Sequence, residues 1–134
     1  MQPLVIIILS LHVLAGVFWA GTTFGLARTG GVGAAQLFRP QMGAATLAVL
    51  TGAYLWSQMV QGSLALGEKL LGAGILCAIV AAGVQGAIGG PAIRRLGGAT
   101  GDEAKNRSAI ALSQRIAAGL LGLTVISMVA SRYL

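Results

Sequence analysis

The stretch Leu11–Gly25, LHVLAGVFWAGTTFG, sets the only histidine of the chain inside a run apolar enough to lie within a membrane. A helix of roughly 20 apolar residues crosses the hydrocarbon core, and an imidazole at such depth has to be hydrogen-bonded or coordinated. Counted at helical spacing from His12, Gly16, Trp19 and Thr23 return to nearly one face, and Gly21 and Gly25 form a small-xxx-small pair beside it. One side of this helix is therefore built to face protein rather than lipid.

Working outward, the 134 residues are 56% hydrophobic and only 9% charged, against a charged fraction of about 25% in soluble domains. The chain reads as an integral membrane protein. Four apolar stretches predict helices over about 3–27, 40–61, 68–90 and 109–132, with connections at 28–39 and 91–108. The fold expected is an all-α, four-transmembrane-helix antiparallel bundle forming a single domain over 1–134. The first stretch lacks the basic leader of a secretory signal and its apolar run is too long for one. Pro40 suits a first helical turn, where a missing N–H costs nothing. Thr100, Asp102 and Glu103 offer an earlier start for the last helix, and Gly97 and Gly98 should end any extension of the third.

Charge placement sets the expected orientation. Arg28, Arg39, Arg94, Arg95, Lys105 and Arg107 fall in or beside the two longer connections, whereas the other ends carry only Lys69 and Arg132. By the positive-inside rule those connections are cytoplasmic and both termini lie outside, in what reads as a bacterial inner membrane. Arg115, in the first turns of the last helix, can snorkel to the same surface. The net charge of +6 is thus a topogenic signal. Dispersed basic residues with no accompanying motif exclude nucleic acid as a partner.

The 21 glycines have a packing meaning in such helices. Gly74, Ala78, Ala82, Gly86 and Gly90 recur every four residues and predict a groove for a neighbouring helix, with Ala73, Cys77, Ala81 and Gln85 on the adjacent line. Ala44, Ala48 and Gly52 repeat the pattern before Trp56, an interfacial anchor. The partners expected are the lipid bilayer and other helices, either in a homo-oligomer or in a larger membrane complex. The single Cys77 allows no internal disulfide, and the sequence holds no phosphate loop, dinucleotide fingerprint or HExxH.

What remains is a set of side chains at similar depth. Taking 1.5 Å per residue, His12 lies ~14 Å in from Pro3, Tyr54 ~11 Å in from Gln61, Cys77 ~12 Å in from Lys69 and Thr124 ~12 Å in from Arg132. Met59 and Met128 sit nearer the outer surface. A neutral imidazole with a thiol or thioether suits haem iron or Cu(I), making His12, Cys77, Met59 and Met128 the candidate metal donors. Alternatively His12 only hydrogen-bonds across the bundle, to Tyr54, Thr124 or Gln85. Cys77 reads equally as a small packing residue, Trp19 as a groove filler, and Lys69 as a snorkelling terminus.

LHVLAGVFWAG on the first helix, FRPQMGAATLAVLTGAYL on the second, GEKLLGAGILC opening the third and a small-residue fourth helix after a basic loop resemble a known family. It is the copper-resistance D (CopD-like) membrane domain, with the related HemJ-type protoporphyrinogen oxidases. His12, Trp19, Gly21 and Lys69 carry the match. The resemblance implies a four-helix membrane bundle associated with haem b or copper. His12 would be the axial or metal ligand and Lys69 would partner a propionate; from their depth and chemistry alone, Trp19 and Tyr54 are the further candidates to border a cofactor. A HemJ-type oxidoreductase would remove electrons and protons from a tetrapyrrole. Here the segment after the first helix is TTFGLARTGGVGAA, and Ser113, Gln114 and Arg115 enter the last helix in place of an acidic, proline-containing sequence. Three functions follow as expectations: haem or tetrapyrrole handling, copper binding or transport, and a non-catalytic accessory subunit.

Overall fold

A computed structural model of the protein describes residues 3–59, 66–96 and 103–133. These are helical apart from one turn: α1 (Pro3–Arg28), α2 (Ala34–Met59), α3 (Leu66–Val84), a π-helical turn (Gln85–Gly89), α4 (Gly90–Leu96) and α5 (Glu103–Tyr133). α3, the π turn and α4 follow one another without a break, so the described residues make four rods. Cross-contacts give their directions. His12 meets Ala48 whereas Thr23 meets Gln41, so α1 and α2 are antiparallel. Gly74 lies against Thr124 and Gly89 against Ser113, so α3 and α5 are antiparallel as well.

Among the described residues, three rods are long and apolar enough to cross a membrane: Pro3–Arg28, Leu66–Leu96 and Glu103–Tyr133. α2 has the length but not the composition, because Arg39, Gln41, Thr46, Thr51, Ser57 and Gln58 dilute its apolar run. The surface is rich in exposed leucine, isoleucine, valine and phenylalanine, while Thr23, Gln41, Gln85, Ser113, Gln114 and Thr124 are buried. Apolar outside and polar inside is the distribution of a bundle solvated by lipid.

The connection between the first two helices is shorter than the sequence implies. α2 begins at Ala34, not Pro40, because three glycines with φ of +71°, +88° and +89° (Gly30, Gly31, Gly33) reverse the chain within a few residues. The amide of Gly31 closes α1 by donating to Leu26 O at 2.7 Å, and Ala34 N–H donates to Gly31 O. Pro40 consequently sits inside α2. The carbonyl of Gln36 that loses its partner belongs to an exposed residue near the helix end, where solvent can satisfy it.

The third rod also outruns its expected end, passing Pro91 to Leu96. A proline there removes one bond and its ring presses on the carbonyl four residues earlier. The turn just before it is widened, with Gly90 N–H donating to Gln85 O, and the helix continues. Gly97, Gly98, Thr100 and Asp102, like the predicted end of the second helix at Gln61, lie outside the described residues. α5 begins at Glu103, an acidic residue suited to a helix N-terminus.

The predicted stripe of small residues splits between two neighbours. Gly74 packs on α5, whereas Gly86 faces Met42 and Gly90 faces Phe38, both on α2. The buried line is instead Gly74, Ala78, Ala81, Gln85 and Gly89. Four residues advance 400° around a helix, so an every-fourth line drifts about 40° per step and leaves the interface it began in. The main core is correspondingly fine-grained, built from Ala15, Ala45, Ala48, Ala78, Ala81 and Ala117 around Trp19 and Leu121. A smaller cluster of Leu26, Ala34, Ala92 and Ile110 closes the arginine-rich end.

Candidate functional site

His12 leans from α1 onto α2. Its Nδ1 lies 2.9 Å from the Ala48 carbonyl oxygen and 3.0 Å from Thr51 Oγ1. A carbonyl only accepts, and the Thr51 hydroxyl already donates to Leu47 O at 2.6 Å. Both partners therefore receive the proton of Nδ1, and in the neutral ring Nε2 keeps a lone pair. The ring rests where Gly52 has no side chain: a Cβ there would lie 2.9 Å from His12 Cε1. Holding one ring nitrogen through a carbonyl is the arrangement that orients a ligating histidine.

His12 lines a cavity of about 440 Å³ between α1, α2, α3 and α5, with Gly16, Trp19, Leu121, Thr124 and Met128 among the other walls. Ligand pockets run roughly 300–1,000 Å³ and are mostly apolar with a few placed polar groups. This cavity follows that pattern. Thr124 directs its hydroxyl to the carbonyls of Gly74 (3.1 Å) and Leu120 (2.9 Å). The indole N–H of Trp19 points away, to Gln85 Oε1 at 2.6 Å. Among the residues lining the cavity, His12 and Met128 are the ones that carry an imidazole and a thioether.

Of the residues singled out from the sequence, His12, Trp19 and Met128 thus border one space. Tyr54, Lys69 and Cys77 do not line it. Cys77 is half-buried on α3, and Lys69 is exposed in the first turn of the same helix. The side chain of Met59 lies outside the described residues. Among the described residues no three His, Cys, Asp or Glu side chains converge. The partners of His12 are Ala48 and Thr51, not Tyr54, Thr124 or Gln85.

Behind Trp19 lies a polar core that the sequence signalled only in part. Gln85 Nε2 donates to Thr23 Oγ1 (2.9 Å) and Gln114 Oε1 (3.2 Å), and Gln41 Nε2 donates to the same two oxygens at 2.9 and 3.3 Å. The amide orientations follow from donor accounting. Trp19 can only donate, which turns Gln85 Oε1 toward it and Nε2 toward Thr23. The Thr23 hydroxyl is committed to Trp19 O at 2.7 Å, so Gln41 must also present its NH₂. Gln41 Oε1 is left buried without a hydrogen bond. Three amides in apolar helices were the available signal, but that Gln41, Gln85 and Gln114 converge depends on register between rods.

Comparison of the chain with family models, curated proteins and solved structures gave no match.

Proposed function

We propose that this chain is a four-span protein of the bacterial inner membrane, termini outside and arginine-rich end in the cytoplasm, whose His12 cavity holds haem or a related tetrapyrrole. The observation that carries the reading is that His12 lines an apolar cavity with its Nδ1 held by the Ala48 carbonyl, which leaves Nε2 as the ring nitrogen without a partner among the described residues. The residues fit the group: a neutral imidazole held by a backbone carbonyl is a suitable axial ligand, and Met128 in the same wall supplies a thioether. The single cysteine provides no CxxCH attachment, which favours non-covalent haem b. Trp19 offers a flat apolar wall. A haem bound there would supply one-electron exchange; His12 would hold it, Ala48 and Thr51 would orient the ring, and the valine-rich walls would exclude water.

The test is an optical spectrum of detergent-purified protein, as isolated and after addition of hemin. A Soret band that is present in the wild type and lost in both His12→Ala and His12→Gln supports the reading. An unchanged band in those variants overturns it. Stoichiometric copper with no pigment would replace it with copper handling. A colourless, metal-free protein that ignores hemin and co-purifies with stable partners would replace it with an accessory subunit.

A further inference from the structure

At the end of the bundle remote from His12, Gly30, Arg107, Ser108, Ala111, Leu112 and Arg115 line a depression of about 510 Å³. Arg107, Ala111 and Arg115 follow one another at four-residue spacing along one face of α5, so two guanidiniums border the same space. Arg107 gives one nitrogen to Glu103 Oε1 at 2.8 Å and keeps its other donors; among the described residues no carboxylate pairs with Arg115. Arg115 is exposed, about three turns inside α5. It lies ~18 Å along α5 from Glu103, flanked by exposed Leu112 and Ile116 on a surface otherwise suited to acyl chains. A guanidinium among apolar side chains either snorkels to the surface or is met by an anion, and two guanidiniums bordering one depression favour the anion.

We propose that this depression binds the phosphodiester headgroup of an anionic phospholipid. Arg115 and Arg107 grip the phosphate, Ser108 adds a hydroxyl, and the acyl chains lie along the Leu112 and Ile116 surface. Arginine pairs bind phosphate through several charge-assisted bonds at once, and basic pockets between helices on the cytoplasmic side recognise anionic headgroups. Lipid is favoured over soluble phosphate because the site is half apolar and its deeper arginine sits two turns below the shallower one. The inference rests on membrane insertion but not on haem binding.

The experiment uses the whole protein in nanodiscs of phosphatidylcholine, with or without phosphatidylglycerol, read by native mass spectrometry and thermal unfolding. The wild type should retain phosphatidylglycerol and unfold at higher temperature when it is present. The Arg107→Gln/Arg115→Gln variant should lose that increment, with retention down roughly tenfold or more. Arg132→Gln, at the other end, should keep it, and Arg115→Lys should recover most of it while guarding against a folding defect. Equal retention by the double variant overturns the proposal, as does an equal loss in Arg132→Gln. An equal temperature rise from inorganic phosphate in neutral detergent would also overturn it, since the lipid would then contribute nothing beyond its charge. The Soret band should not respond to these arginine changes, so failure here is distinguishable from failure of the haem reading.

Discussion

Two glutamines in the polar core should respond unequally to the same near-isosteric substitution. Gln85 makes three bonds to other rods, to Trp19, Thr23 and Gln114. Interhelical bonds in membrane proteins average about 0.6 kcal/mol, so Gln85→Leu removes about 2 kcal/mol. It also strands the Trp19 N–H, on a residue only 2% exposed. A buried orphan donor costs roughly 1–3 kcal/mol, partly the same energy counted from the other side, which places the total near 2–4 kcal/mol. Gln41→Leu removes two bonds, about 1 kcal/mol by the same average, but it also removes the buried, unpaired Oε1. Thr23 and Gln114 still receive Gln85 Nε2. Gain and loss then cancel, and Gln41→Leu should lie within about 1 kcal/mol of wild type or above it. Equilibrium unfolding in mixed micelles, titrated with SDS and followed by far-UV circular dichroism, measures both. A cost for Gln41→Leu equal to or larger than that for Gln85→Leu would refute the donor accounting on which the description of the core depends.

Gly52→Ala should displace the His12 ring, since the new Cβ would lie 2.9 Å from Cε1, and so weaken the Soret band on hemin addition; Gly21→Ala, with open space around it, should leave the band unchanged. Gly31→Ala and Gly33→Ala both place a side chain at positive φ, at about 1–2 kcal/mol each. Only Gly31→Ala also meets Ile110 Cγ2, at 2.9 Å, so in the same unfolding assay it should be the more damaging of the two. Gly86→Leu should push α2 away through Met42, whose Cε already lies 3.6 Å from the position of a Cβ. A lowered unfolding midpoint with an unaltered helical content would record that loss of packing.

The sequence by itself determined the helical class, the apolar exterior and the concentration of basic charge at one end. Each follows from composition and order along the chain: an apolar run of sufficient length must be helical in lipid, because its backbone has no other hydrogen-bonding partner. It also marked His12 as a residue needing a partner. Helix ends were less legible. The Gly30–Gly33 turn let α2 start before Pro40, and the widened turn at Gln85 let the third rod run past Pro91. Both outcomes weigh a local proline penalty against contacts made elsewhere. Only the tertiary structure decided what His12 touches, which small residues meet which neighbour, and that glutamines 44 and 29 residues apart share one buried network. Those facts depend on the register and rotation of one helix against another: Gly86 meets Met42 on α2 while Gly89, three residues on, meets Ser113 on α5, and nothing written in the sequence distinguishes the two glycines.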